Sequence, residues 1–502
     1  GATSMSKQEV GKGVAYLYLE TISAMVGGYL FWLIMSKITT PEVIGVSSTL
    51  ISIVTIFVSV VMLGIPTGVQ RFLGKSYLTD QVDTANIFIK TSLLILSLSI
   101  CGATLAIFVF RHWIYGAFGS DINLVLVSIL LLGSTIVATL FRSVLVASLK
   151  TKILALVMII STAGKFLVGV VLVLLGTGIV GLTIGYSIYH IIASILLGAV
   201  IITTLKFSRK RLSSSISLKE TSKDLLRASS VAWIPFIITT IGLQAGTILV
   251  FGSLGAEQAG VYFIAFSIMN AIMSAMYSLF TIAFPVLSGM TDGRKRFAWK
   301  ITKLAIFLSL PLSSCFIFYS EDIMEILGKE YVQAAEALQI LLLSMLPVAV
   351  FTGVNSLVYA YGNYRQVLLI GLASSIPRTV LYFVFVPIYG NSGAAIGFTI
   401  GSIVGFIVAA FIARRIGMKL VWKEITAIFV IPLGIAFVFS YLQINYILGI
   451  IGTLIIAYSL MLRVRAFAVS EAQDSLNILL PDNIAKPIVK VLKILDKRRD
   501  QL

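Results

Sequence analysis

The sequence has few charged residues and few cysteines. Charged residues make up 12% of the 502 positions, against about 25% in soluble domains, while 58% are hydrophobic. A mean hydropathy of +1.02 is too high for a chain whose surface faces water. Cys101 and Cys315 lie inside apolar runs with no His or Cys nearby, so neither a disulfide framework nor a zinc site is supported. These features exclude an ordinary soluble protein and indicate a membrane protein.

Motifs of nucleotide and hydrolytic chemistry are also missing. The sequence contains no Walker motif, no dinucleotide-binding GxGxxG, no HExxH and no nucleophile elbow. We therefore expect no ATPase domain, no enzymatic activity and no cofactor. Gly1–Ser4 precede Met5 and are predicted to be an expression scar. The apolar run that follows is too long for a cleaved signal peptide.

Long apolar runs recur along the whole chain. A bilayer core needs about 20 mostly apolar residues per helix, and runs of that length divide the sequence into about fourteen spans. The runs are too long and too continuously apolar for the alternating strands of a membrane barrel. The sequence therefore predicts an all-α polytopic membrane protein.

The basic residues, which give a net charge of +17, lie mostly between alternate spans. With both termini in the cytoplasm, almost all of the 38 Lys and Arg residues fall on the cytoplasmic side, as the positive-inside rule requires. The exceptions are Lys37, Arg111 and Lys329 in outer loops and Arg142, Lys165 and Arg378 within spans. We predict a multi-pass protein of the plasma membrane whose basic loops contact anionic membrane lipids rather than nucleic acid. In the tail, Ile484, Ile488, Val491 and Ile494 share one face, a pattern typical of a helix on the membrane surface.

Two pairs of similar segments indicate an internal duplication. The glycine-spaced GTGIVGLTIGYSI at 176–188 matches YGNSGAAIGFTI at 389–400, and PEVIGV at 41–46 matches AEQAGV at 256–261. Similar shifts at both ends predict one six-helix unit used twice. The predicted segments are an N-terminal bundle (10–205), a basic cytoplasmic linker (206–228), a C-terminal bundle (229–415), an extra helix pair (425–462) and a basic amphipathic tail (463–502).

Lys165 and Arg378 stand at equivalent positions of the two halves. Each follows a cytoplasmic basic residue by 13 positions, which places it ~20 Å into the membrane, too deep for comfortable snorkelling. A central charge costs about 2.5–3.5 kcal/mol on insertion scales, so it is a functional hypothesis by default. Small and polar residues share their faces, namely Ser161, Thr162 and Gly169 with Lys165, and Gly371, Ser374 and Ser375 with Arg378. We expect these stripes to face a cavity between the halves.

Other polar residues within spans permit two interpretations each. Arg142 either lines the cavity or snorkels to the cytoplasmic interface, and Glu20 either pairs with a cation or binds a coupling Na⁺ or proton. His190 either packs by hydrogen bonding or relays protons. Gln244, Asn270 and Asn355 either join helices or line the cavity. Because cations outnumber the single acid, the cavity should attract a phosphate or diphosphate and repel a cationic drug.

Three local patterns resemble the polysaccharide transporter branch of the multidrug, oligosaccharidyl-lipid and polysaccharide exporter superfamily. They are PEVIGVSSTLISI at 41–53, GIPTGVQRFLGK at 64–75, which contains Arg71, and GNSGAAIGFTIG at 390–401. The resemblance implies a V-shaped pair of bundles that flips a polyprenyl-diphosphate-linked oligosaccharide to the outer leaflet by alternating access. It also implies an ion gradient or membrane potential as the driving force, and glycosyltransferases or a polymerase as pathway partners. Fourteen helices are also similar to the lipid II flippases, whose extra helix pair forms a lipid groove.

The predicted functional residues form two groups. The substrate-binding candidates are Lys165, Arg378, Arg142, Arg71, Asn270, Asn355 and Gln244, and the ion-coupling candidates are Glu20 and His190. Two other functions remain open at this point. An ion-coupled antiporter of drugs or metabolites predicts twelve helices and acids in the cavity. A lipid scramblase or a non-transporting scaffold makes the match between Lys165 and Arg378 accidental.

Overall fold

The structure is a computed structural model that describes residues 7–78, 81–119, 121–204, 218–479 and 482–497, and in these ranges it contains helices and no strands. Twelve of the helices are long and apolar enough to cross a membrane, and a bent pair at Lys329–Ala360 gives a thirteenth span. One of the twelve, Tyr364–Ile416, has 53 residues, so that a straight helix would measure ~80 Å, far more than a ~30 Å bilayer core. Counted as two spans, it brings the described spans to the predicted fourteen.

Contacts divide the chain into two compact units, Gly1–Gly260 and Val261–Leu502. The helices of unit 1 are α1 (Lys7–Ile38), α2 (Pro41–Val61), α3 (Ile65–Leu78), α4 (Val82–Val109), α5 (Arg111–Ile114), α6 (Ile122–Ala147), α7 (Thr151–Leu174), α8 (Gly178–Thr204) and α9 (Leu218–Leu254), with a 3₁₀ turn at Gly116–Phe118. Helix α7 packs against α1 and α8, and α6 also packs against α8. Helix α9 packs against α2, α3 and α4. Helix α9 therefore lies in unit 1, whereas the sequence prediction places 229–252 in the second bundle. The assignment of residues to bundles stays a prediction.

The predicted second span is broken between α2 and α3. Leu63 and Gly64 have φ values of 52° and 68°, which end α2 in the left-handed region. The Leu63 amide turns to the Val60 carbonyl, so the Ser59 carbonyl loses its usual helical partner. The indole of Trp233, on α9, donates to the Ser59 and Val60 carbonyls at 3.2 and 3.0 Å. This bond satisfies a carbonyl that has no water to bind inside a bilayer.

Helix α10 (Ala256–Gly289) begins at the end of unit 1, and the remaining helices belong to unit 2. They are α11 (Arg294–Phe318), α12 (Ser320–Leu327), α13 (Ala335–Leu342), α14 (Met345–Ala360), α15 (Tyr364–Ile416), α16 (Trp422–Tyr441), α17 (Tyr446–Arg463), α18 (Val469–Leu479) and α19 (Asp482–Lys497), with a 3₁₀ helix at Lys329–Ala334. Helix α15 breaks at Gly390, which has φ 59° and ψ −132°, a conformation that favours glycine. A hydrogen bond from Arg378 to Ser402 shows that its two halves fold back on each other, because a straight helix would separate these residues by ~36 Å.

Helix α11 forms the centre of unit 2. In the most apolar 18-residue stretch of α11, 72% of the residues are buried. In the corresponding stretch of α4, the third span of the chain, 17% are buried. The difference arises because α16 and α17, the predicted extra helix pair, pack against each other and against α11. The appended pair thus completes the packing around α11.

The predicted amphipathic tail helix is present as α19. Ala485, Val489 and Leu492 are buried, while Ile488, Val491 and Ile494 form an exposed apolar row. Contact of this row with a membrane surface stays a prediction. The predicted scar at Gly1–Ser4, positions 206–217 of the predicted linker and the last residues of the tail lie outside the described residues.

Candidate functional site

Lys165 lies in an aromatic surround inside unit 1. Its Nζ is 4.9 Å from the ring centre of Phe31 on α1 and 5.4 and 5.5 Å from those of Tyr186 and Tyr189 on α8. The residue is only 6% exposed. Among the described residues it forms no ion pair. Aromatic faces attract an ammonium group but offset only part of the cost of removing it from water.

The small residues around Lys165 bring its helices together. A Cβ on Gly185 of α8 would overlap the Cα of Gly169 of α7, so both positions need glycine for this close approach. Ser161 and Thr162 donate their hydroxyls to carbonyls of their own helix. The stripe that the sequence assigned to a cavity wall thus includes residues that pack helix against helix.

Glu20 and Arg142 form a bidentate ion pair between α1 and α6. Arg142 Nε donates to Glu20 Oε1 and Arg142 Nη2 to Glu20 Oε2, both at 2.8 Å. Two parallel bonds of this kind are the strongest arrangement between arginine and a carboxylate. Of the two interpretations of Glu20, the structure contains the pairing with a cation, and Arg142 turns to this partner rather than snorkelling to an interface. An additional role of Glu20 in ion coupling stays a prediction.

Tyr189 and His190 join these two sites. The imidazole of His190 is nearly perpendicular to the ring of Tyr189, with 5.0 Å between the ring centres, and Tyr189 lies within electrostatic range of Glu20 and Arg142. Four predicted residues from four helices, Glu20, Arg142, Lys165 and His190, therefore form one group, which we call the unit 1 cluster. Within it Glu20 neutralises Arg142, and Lys165 supplies the uncompensated positive charge.

Arg378 lies in unit 2 across the fold of α15. Its Nε donates to the Phe398 carbonyl at 3.3 Å and its Nη2 to Ser402 Oγ at 2.8 Å. The guanidinium carbon is 4.0 Å from the centre of the Phe398 ring, and the residue is 3% exposed. A Cβ on Gly401 would overlap the Arg378 side chain, so glycine opens the space that the arginine fills. Both of its acceptors are neutral, so no carboxylate compensates its charge among the described residues.

The two buried cations therefore have similar surroundings in their own units. Lys165 faces the ring of Tyr186, and Arg378 faces the ring of Phe398. In the duplicated segments 176–188 and 389–400, Tyr186 aligns with Phe398, 212 positions later. Lys165 and Arg378 thus resemble each other in local environment as well as in predicted depth in the membrane.

The other four substrate-binding candidates are separate from these cations. Arg71 and Asn270 are exposed, and Gln244 is half-buried. Asn355 has a buried side-chain oxygen without a hydrogen-bond partner in the described ranges. In those ranges none of the four hydrogen-bonds to Lys165 or Arg378.

Lys303 is a buried charge that sequence reasoning missed. It is 2% exposed on α11, and its Nζ lies 2.9 Å from Glu424 on α16 and 2.6 Å from Glu471 on α18. The sequence assigned it to a basic cytoplasmic loop as a topology determinant. The sequence contains one sign of this pairing: Lys303 lies inside an apolar run, and an acid, Glu424, lies at the start of the extra helix pair.

A family model described as a polysaccharide biosynthesis protein matches residues 34–336, more than half of the chain. The chain belongs to this family. A relative, the uncharacterized membrane protein MJ1375 of Methanocaldococcus jannaschii, is 24% identical over 432 residues, which cover 82% of this chain and 99% of the relative.

Solved structures share the fold of this polysaccharide biosynthesis family member. The lipid II flippase MurJ in an inward closed conformation has a TM-score of 0.64 at 18% identity and covers 89% of this chain and 99% of its own. A multidrug resistance MATE family transporter of the MOP superfamily has a TM-score of 0.61 at 15% identity, with coverage of 82% and 95%. A MOP superfamily transporter from Pyrococcus furiosus, described as having a binding pocket of reverse polarity, has a TM-score of 0.60 at 15% identity, with coverage of 85% and 99%. The chain therefore shares its fold with these three solved structures.

Proposed function

We propose that the protein is a flippase that moves a polyprenyl-diphosphate-linked oligosaccharide from the cytoplasmic to the outer leaflet of the plasma membrane. The product would serve the synthesis of cell-surface polysaccharide or glycoprotein. The family, whose members are described as polysaccharide biosynthesis proteins, and the fold, which a lipid II flippase shares, support this proposal. Glycosyltransferases of the same pathway would supply the substrate.

The observation that carries the proposal is a pair of buried cations that have no carboxylate partner in the part of the chain that the structure describes. Lys165 and Arg378 each lie inside a membrane-spanning unit against aromatic rings. A buried cation is unfavourable unless an anion compensates it. A diphosphate has several negative oxygens, which an ammonium binds as a point charge and a guanidinium binds with two donors. We propose that the substrate diphosphate meets these two residues during its passage.

The pairing of Glu20 favours an anionic substrate over a cationic drug. A drug antiporter needs an acid that is free to exchange a cation for its substrate, whereas both Glu20 oxygens are bound to Arg142. The unit 1 cluster then carries net positive charge. We propose that movement occurs by alternating access, driven by a Na⁺ or proton gradient or by the membrane potential.

The proposal is tested by charge removal in proteoliposomes that contain a polyprenyl-diphosphate oligosaccharide. We expect Lys165→Ala and Arg378→Ala to reduce both binding and translocation about ten- to a hundredfold, because each removes a hydrogen bond between charged groups worth about 1.5–3 kcal/mol. Lys165→Arg should retain much of the activity, whereas Arg378→Lys should retain less, because the ammonium group keeps the charge but lacks the paired donors of the guanidinium. Arg415→Ala, which removes an exposed charge at the end of α15, is the matched control and should behave as wild type.

Wild-type binding and translocation in both alanine variants, with folding confirmed by thermal unfolding, would exclude the two residues from the site. The antiporter would be favoured instead if every variant binds and translocates the lipid-linked sugar as the wild type does and the protein also transports a cationic drug. Imposed Na⁺, proton and potassium-diffusion gradients in the same vesicles would identify the driving force.

The proposed orientation has both termini in the cytoplasm, where the exposed lysines of α19 would meet anionic lipid headgroups. Single cysteines introduced at Ser470 and at Gly119 test it. A membrane-impermeant thiol reagent applied to intact cells should label the second position and not the first. The opposite pattern would reverse the orientation.

A further inference from the structure

An open apolar groove lies in unit 1 between α2 and α4. Its volume is about 900 Å³, and its walls include Phe57 and Val60 of α2, Ala106 of α4, and Phe110, the residue that follows α4. Ser99 Oγ donates to the carbonyl of Val61 at 2.7 Å and joins the two helices near the break in the second span. Trp113, in the segment after α4, also lines the groove.

The groove reaches the membrane interface at its open end. Trp113 is 88% exposed and lies just after the last turn of α4, at the level where tryptophan typically marks the boundary between hydrocarbon and headgroups. We infer from the position of Trp113 that the groove reaches the headgroup level of the leaflet on the side of residues 110–119.

Unit 2 has a comparable surface, and there the chain itself covers it. Helices α4 and α11 are each followed by one aromatic residue, Phe110 or Tyr319, which separates the helix from a short helix, α5 or α12. Tyr319 Oη donates to the Ile444 carbonyl at 3.2 Å, and Cys315 Sγ, one turn earlier, approaches the Ile450 carbonyl at 3.9 Å. This end of α11 is thus covered by the α16–α17 pair.

The corresponding end of α4 lacks the polar groups that hold a helix in unit 2. Ala106 stands one turn before Phe110, where Cys315 stands one turn before Tyr319. Neither alanine nor phenylalanine has a side-chain hydrogen-bonding group, and the walls named above are apolar throughout. A protein helix finds no hydrogen-bonding partner on them. A hydrocarbon chain needs none, and it can fill a concave surface with many close contacts.

A basic residue is available beside the interfacial end of the groove. Arg111 directly follows Phe110, is half-buried, and has no acidic partner among the residues that the structure describes. The guanidinium group suits a phosphate, and the phosphate of a phospholipid lies at the interface where an acyl chain leaves the hydrocarbon.

We propose that this groove is a phospholipid-binding site, in which one acyl chain lies between α2 and α4 and the phosphate headgroup binds Arg111. In unit 1 the lipid then occupies a surface like the one that α16 and α17 cover in unit 2. The site does not depend on the proposed flippase function or on the two buried cations.

Native mass spectrometry tests the site on the full chain, extracted from bilayers of phosphatidylglycerol and washed in detergent. We expect the wild type to retain one phosphatidylglycerol. Ala106→Trp fills the groove and should lower the retained fraction at least tenfold. Leu105→Trp is the control, because Leu105 is 67% exposed on the opposite side of α4, and it should retain lipid as the wild type does. Arg111→Gln should lower retention about fivefold, as expected for one lost arginine contact with an anionic headgroup.

Equal retention in Ala106→Trp and Leu105→Trp would overturn the proposal, and so would replacement of the lipid by a second copy of the chain in the wild-type spectrum. If Ala106→Trp does not fold, as judged by its thermal unfolding, Ala103→Phe at the same wall serves in its place. Loss of translocation in Lys165→Ala with unchanged lipid retention would leave this site intact while testing the flippase separately.

Discussion

Gly45 and Gly260 pack against each other backbone to backbone in unit 1. A Cβ on Gly45 would overlap the carbonyl oxygen of Ala256, four residues before Gly260, and a Cβ on Gly260 would overlap that of Pro41, four residues before Gly45. The contact is reciprocal. Gly45 and Gly260 are also the matched glycines of the two sequence segments, PEVIGV and AEQAGV, that indicate the duplication.

Gly45→Ala should destabilise the protein by about 1–3 kcal/mol, the usual cost of overpacking, because its methyl group meets rigid backbone rather than a movable side chain. Thermal unfolding in detergent measures the effect. Gly133→Ala on α6 is the control, since no atom lies within 4 Å of the added methyl group. Similar unfolding temperatures for the two variants would contradict the close contact.

Loss of one partner of the Glu20–Arg142 pair should lower stability by about 3 kcal/mol, the lower end of the range for buried pairs, because Arg142 is partly exposed. Glu20→Gln tests this by thermal unfolding, and the exchange of both residues, Glu20→Arg with Arg142→Glu, should recover much of the loss. A double-mutant cycle separates the pair from its surroundings. A wild-type unfolding temperature in Glu20→Gln would count against a structural ion pair.

Trp233→Phe should cost about 1–2 kcal/mol, because it leaves the Ser59 carbonyl without its indole donor inside the membrane. Amide hydrogen exchange should show faster opening near Leu63 and Gly64. Trp422→Phe removes an indole that is exposed on α16 and should change neither quantity. Unchanged exchange at the break in Trp233→Phe would show that the bond is dispensable.

Lys303→Met should destabilise unit 2 by about 3–5 kcal/mol, since it leaves Glu424 and Glu471 without their shared cation. Adding Glu424→Gln and Glu471→Gln should restore most of the stability, because the carboxylate charges are then removed as well. Lys300→Met breaks a more exposed pair with Asp474. It should lower the free energy of unfolding by less than about 1 kcal/mol, which is typical of surface ion pairs. Equal unfolding temperatures for the two lysine variants would refute the assigned role of Lys303.

The sequence predicted those residues of the candidate site whose depth in the membrane follows from their position within an apolar run. Lys165 and Arg378 interrupt apolar runs, so both could be identified as buried cations, whereas their aromatic neighbours became visible only in the structure. The partner of Glu20 was not predictable, because Arg142 lies 122 positions away and no local periodicity links them. The burial and pairing of Lys303 were missed for the same reason, since its acids come from α16 and α18.

The sequence by itself determined the class of this protein and its fourteen spans, because a bilayer imposes a minimum apolar length on any helix that crosses it. It also determined the excess of basic residues between alternate spans, because the bilayer imposes a charge bias on the loops. Only the tertiary structure decided which buried charges are compensated. It shows Arg142 and Lys303 in ion pairs and Lys165 and Arg378 against aromatic rings, because a charge finds its partner through helix packing. It also decided that the end of α11 is covered by the chain while the matching end of α4 is open, a difference that depends on where α16 and α17 pack.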